Sequence, residues 1–152
     1  MNNYKKLAIK DVYPKVESYQ QISLIKNFIF WVENISSGQN SRNAIFVRPF
    51  LQKKLGAQNL IGDGFYLKSN FHGYGGKSYK CFLRNNKFFL IWIDQITNSL
   101  WYKIFEVNNK ATNANYFSSV TTSKQLTKPF KCNYDSSFVI SNKDNLFGLC
   151  EK

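Results

Sequence analysis

Apolar positions along this chain come in short dense runs, with no 3.6-residue stripe. NFIFWVEN (27–34) and KFFLIWIDQ (87–95) are rich in aromatic and β-branched residues. Within the second, FFLIWI is apolar at every position, the pattern of a strand buried on both faces. YKIFEV (102–107) alternates better and suits a strand nearer the outside of a sheet. After the first run comes polar ISSGQNSRN and then AIFVRPF; after the second comes QITNS and then LWYKIFEV. Each reads as strand, turn, strand, with Gly, Asn and Ser supplying the turn.

The pattern repeats. Trp31 stands two residues before Glu33, and Trp92 two before Asp94. The offset is about sixty residues, at the long end of propeller and solenoid repeats. QNLIG (58–62) closes the first unit and KQLTK (124–128) the second. QQISLI, GKSYKCFLRNN and YDSSFVISNKD lead into the first run, the second run and a third, NLFGLCEK, which carries Glu151 without a tryptophan. The unit is therefore four short strands, and the third copy stops after its second strand. One such sheet cannot cover both of its apolar faces; its neighbours must. The pattern predicts an all-β fold: an incomplete β-propeller of about two and a half four-stranded antiparallel blades. Blade one spans about 22–62, blade two about 74–128, and the start of blade three about 134–152. Residues 1–21, broken by Pro14, read as an extended lead-in. A compact sandwich or barrel of about ten strands is the competing architecture.

Composition narrows the chemistry. A chain of 152 residues with 43% apolar and 17% aromatic residues is one folded domain, not a disordered segment. The net charge of +12 points toward anionic partners. Yet the cations are almost all lysine, scattered along the chain; the arginines are Arg42, Arg48 and Arg84. Phosphate recognition favours arginine forks, so nucleic acid is disfavoured as a partner. Cys81, Cys132 and Cys150 lack C-x-x-C spacing, and His72 is the single histidine. No metal site or cofactor is expected, and the thiols read as reduced, in a cytoplasmic protein. The first residues have no apolar signal core, and no apolar run reaches 18 residues, so no membrane association is expected.

NFHGYGGKSY (70–79) concentrates three of the eight glycines around His72. It is not a phosphate loop: the glycine that pattern needs is Phe71, and no helix follows. As an RNA-binding strand it matches at Gly73, Tyr74, Gly75 and Tyr79. It fails at His72, Gly76 and Lys77, where a cation, a stacking ring and an apolar residue belong. A Ser–His–acid triad would have to use His72, and no G-x-S-x-G elbow exists. The structural reading remains: glycines where the chain crosses from the rim of one blade to the centre of the next.

In their order, these motifs resemble the N-terminal propeller segment of prolyl oligopeptidase family serine peptidases, particularly acylaminoacyl-peptidase and dipeptidyl-aminopeptidase-like members. That family carries V-H-E-Y-G-G-G; here His72, Tyr74, Gly75 and Gly76 match, with Gly73 in place of the acid and Lys77 in place of the third glycine. Its D-Q-x-L-Y element resembles Asp94, Gln95, Leu100 and Tyr102, with a longer turn here. FWVEN is similar to its W-L-E element. Tyr134 and Asp135, after Asn133, resemble its R-Y-A-D strand, and Glu151 its V-R-E-D run. The resemblance covers roughly 22–152. It implies a non-catalytic N-terminal fragment whose partners are the remaining blades and the α/β-hydrolase domain of a parent chain. The parent's propeller would gate short peptides on their way to that hydrolase, which is missing here. The alternative is a stand-alone basic β-rich domain that binds single-stranded nucleic acid or carbohydrate; a degenerate product without activity is a third reading. An unfinished propeller leaves apolar surface open, so the isolated chain is expected to self-associate.

Overall fold

In the computed structural model, residues 19–37, 40–51, 56–71, 76–108, 115–141 and 145–151 are described. The expectation of an all-β chain is met: these residues form antiparallel sheets of four, five and two strands, with no α-helix among them. Sheet 1 has the order β1 (Gln20–Ile25), β2 (Phe28–Ser37), β3 (Asn40–Pro49), β4 (Gln58–Asn59). Sheet 2 runs β5 (Tyr79–Arg84), β6 (Lys87–Asp94), β7 (Ser99–Val107), β8 (Phe117–Ser119), with β9 (Lys124–Gln125) also pairing with β7. Sheet 3 pairs β10 (Asn133–Ile140) with β11 (Leu146–Glu151). The lead-in expected over 1–21 lies outside the described residues up to position 18, and β1 begins at Gln20.

Local chemistry fixes the hairpins. Asn85 and Asn86 join β5 to β6, both at positive φ (47° and 60°). A two-residue type I′ turn requires that of both residues, and asparagine tolerates it best after glycine. The β6–β7 turn is held by Asp94, whose buried carboxylate accepts from the Thr97 N–H at 3.1 Å and from the Thr97 hydroxyl at 2.7 Å. Its other oxygen accepts from the Tyr66 N–H at 3.1 Å, tying the segment after sheet 1 to the end of β6. Beyond it, Ser99 Oγ lies 2.6 Å from Thr97 Oγ1 and accepts from the Trp101 indole at 3.0 Å. Each of these bonds contributes about 1 kcal/mol net, and more where it ends on a charged group.

Sheet 2 is covered on both faces. Successive residues of a strand point to opposite sides. Phe88, Leu90 and Trp92 face sheet 1 and meet Phe30, Val32, Ile45 and Val47. Phe28, Phe30, Phe88 and Phe117 form an aromatic cluster there, with ring centroids 4.8–5.9 Å apart. Ile91 and Ile93 face the other way and pack with Leu100 and Phe138 under sheet 3. The sheet-3 contact depends on one missing side chain: a Cβ on Gly148 would lie 2.5 Å from Cδ1 of Phe138. Glycine lets one edge of the Phe138 ring sit directly against the backbone of the partner strand.

Hairpin register corrects one detail of the sequence pattern. Ile25 pairs with Phe28 and Arg84 with Lys87. Superposing these turns brings Trp31 onto Leu90 and Glu33 onto Trp92, so the two tryptophans are not equivalent. The mismatch is two residues, one full strand period, so it preserves the face and changes only the position. Sequence also passes over β8: FSS (117–119) is too short to show a period of two.

Two substitutions test this packing in urea titrations. Phe88→Ala removes a fully buried ring and is expected to cost about 3–5 kcal/mol. Gly148→Ala is expected to cost about 1–3 kcal/mol by overpacking, and adding Phe138→Leu should return part of that loss.

Candidate functional site

The first strands of the three sheets converge. The Gln21 side chain, at a bulge in β1 where its φ is 51°, turns toward β5. Its Oε1 accepts from the Ser78 N–H at 2.7 Å and from the Ser78 hydroxyl at 3.1 Å. The Tyr79 hydroxyl donates to the Gln21 carbonyl at 2.7 Å and lies 3.0 Å from Ser23 Oγ. One strand further on, the Ser136 hydroxyl of β10 donates to the Tyr79 carbonyl at 2.8 Å, and the Ser136 N–H to the Lys77 carbonyl at 3.0 Å. Gln21 to Ser78 and Tyr79 to Ser136 are both steps of 57 residues. The strand-end polar groups are thus satisfied by the neighbouring sheet, as buried polar groups must be.

The outer ends of sheets 1 and 2 are joined in the same order. The Gln58 side-chain amide behaves like a strand residue: its Nε2 donates to the Phe117 carbonyl, and its Oε1 accepts from the Phe117 N–H, each at 2.9 Å. The Tyr116 hydroxyl donates to the Gly56 carbonyl at 2.8 Å.

A groove of about 450 Å³ lies along the converging strands, lined by Gln21, Lys77, Tyr79, Lys80 and Ser136 among others. Its polar groups are hydroxyls, an amide and two lysines. A second, mainly apolar hollow of about 320 Å³ lies between sheets 2 and 3 and includes Phe82, Phe89, Tyr102 and Leu146. Burial pushes the Tyr79 phenol up to about 12, against a smaller opposing effect of its bond with Ser23. Burial also pushes the Cys81 thiol well up, which removes it as a nucleophile near neutral pH. Among the described residues no group of three His, Cys, Asp or Glu side chains could hold a metal ion. No helix among them is long and apolar enough to cross a membrane.

The residues expected from motif order fall into three places. His72, Tyr74 and Gly75 lie outside the described residues. Gly76 and Asp135, from two separate motifs, meet: a Cβ on Gly76 would lie 2.8 Å from Asp135 Oδ1, which accepts from the Lys77 N–H at 3.1 Å. The adjacent Tyr134 carbonyl accepts from the Ser69 hydroxyl at 2.6 Å. Asp94 holds the β6–β7 turn, and the Gln95 N–H donates to the Tyr66 carbonyl at 2.7 Å while its side chain is exposed. Leu100 is buried in the core between sheets 2 and 3, with Tyr102 packed against it. Sequence gives no role to Gln21 or Ser136, and it marks Tyr79 only as part of an incomplete RNA-binding pattern. Glutamine and serine at strand starts carry no local signal; only the sheet-to-sheet contact reveals their role.

No protein-family model, curated protein or solved structure matches the chain.

Tyr79 gives a pH signature. Its folded pKa is raised, so the neutral phenol stabilises the fold fully below pH 10. That contribution is lost as pH climbs through about 12. In an absorbance titration of tyrosinate, Tyr79→Phe should remove a tyrosine that ionises late. It should cost about 1 kcal/mol at neutral pH and flatten the fall in stability between pH 10 and 12.

Proposed function

We propose that this chain is a non-catalytic stack of propeller blades, whose converging first strands form one wall of a central channel. The observation that carries this is the order of stacking. First strand meets first strand at both joints, through Gln21–Ser78 and Tyr79–Ser136, at the same sequence step of 57. The fourth strand of sheet 1 meets the fourth of sheet 2 through Gln58 and Phe117. Consecutive sheets laid inner on inner and outer on outer are how blades surround an axis. A Greek-key sandwich would instead pass strands between sheets, whereas the described strands of each sheet come from one continuous stretch of chain, with a single isolated bridge, Leu67 to Asp94, between stretches.

The resemblance to prolyl oligopeptidase family propellers extends the proposal. The ring would cover the active site of an α/β-hydrolase and admit short peptides along the groove beside Lys77 and Lys80. Its part in the chemistry is positioning and exclusion of larger substrates. The order of the motifs along the chain supports this extension, as does the contact of Gly76 with Asp135.

A serine-directed fluorophosphonate tests the non-catalytic role. The purified chain should neither label nor cleave free or N-acylated short peptides. Labelling of a single serine, with peptide cleavage lost when that serine is replaced by alanine, would overturn it.

A further inference from the structure

The two ends of the stack expose different faces. On sheet 1 the outward face carries Ile22 and Leu24 of β1, 60% and 57% exposed, beside half-buried Ile29 and buried Trp31 of β2, the latter packed against Tyr19, Phe46 and Arg48. On sheet 3 the outward face carries Val139 of β10 and Phe147 and Leu149 of β11, 66%, 59% and 58% exposed. Hairpin register states what each face is. Ile29 and Trp31 superpose on Phe88 and Leu90, which sheet 1 covers within the chain. The outward face of sheet 1 is therefore of the kind that receives a preceding sheet. The outward face of sheet 3 is of the kind that sheets 1 and 2 each press onto the next. One end is a socket and the other its plug, and neither complements itself.

From this we infer that a second copy of the chain docks head to tail, the outward face of sheet 3 on one copy covering the outward face of sheet 1 on the next. The contact would continue the packing that already joins sheet 1 to sheet 2 and sheet 2 to sheet 3. Such a contact is heterologous; it closes into a ring where the rotation allows and otherwise grows. The inference rests on the blade stack alone; under the peptidase extension the parent chain's other blades would take the same faces.

Two variants of the full chain test it by analytical ultracentrifugation: Ile22→Lys with Leu24→Lys on one face, and Val139→Lys with Phe147→Lys on the other. The wild type should sediment as assemblies that grow with concentration. Each variant alone should be monomeric, and an equimolar mixture should give a heterodimer and nothing larger. Salt should strengthen the association, because copies carrying +12 repel one another. A monomeric wild type would overturn the inference, as would a mixture that stays monomeric, a variant that dimerises alone, or association weakened by salt. Circular dichroism checks that each variant is folded; where one is not, Leu24→Glu and Leu149→Glu take its place. Slow amide exchange in β6 of a monomeric wild type would sink the second copy and leave the blade stack standing.

Discussion

Burial of β6 on both faces is the constraint on which this structure depends. FFLIWI has no polar side to give to water, so it must lie between two layers. Sheet 1 supplies one layer with Phe30, Val32, Ile45 and Val47; β10 and β11 supply the other with Phe138 and Leu146. Each covering sheet then has an outer face of its own, and each exposes apolar side chains there: Ile22 and Leu24 on sheet 1, Val139, Phe147 and Leu149 on sheet 3. The requirement passes from sheet to sheet among the described residues. That is the physical content of the proposed blade reading.

The polar links between sheets are few and specific. Hydrophobic layers alone would slide; Gln21, Tyr79 and Ser136 fix how far one sheet is offset from the next. Each bond contributes about 1 kcal/mol or less net, but leaving one of these buried groups unpaired would cost more, so they penalise a shifted stack more than they reward the correct one. Asp94 does the same within sheet 2, where its carboxylate holds the turn and the Tyr66 N–H together.

Much of the architecture was legible in the sequence because strand burial leaves a period. The double-sided run at 88–93 and the polar turns at 95–98 lie where the pattern puts them. The grouping of strands was readable from the recurrence of whole hairpins. Register was less legible: pairing Trp31 with Trp92 keeps the face and misses the position, since any even slip looks alike in a period-two pattern. Short edge pieces such as β8 give no period at all. Of the motif residues, Asp94 and Asp135 occupy satisfied positions at turns and joints, and carboxylates in that role cannot be told in sequence from those that move protons. Gln21 and Ser136 were silent because their partners are far along the chain.

The connectivity has a consequence for how the protein comes to be made. Every described strand pairs with one that follows or precedes it closely, so each sheet can zip up from a contiguous stretch of nascent chain before the next is synthesised. Sheet 1 would leave the ribosome with its inner face bare until Phe88, Leu90 and Trp92 arrive to cover it. The interval between those two events is when a holding chaperone has most to grip.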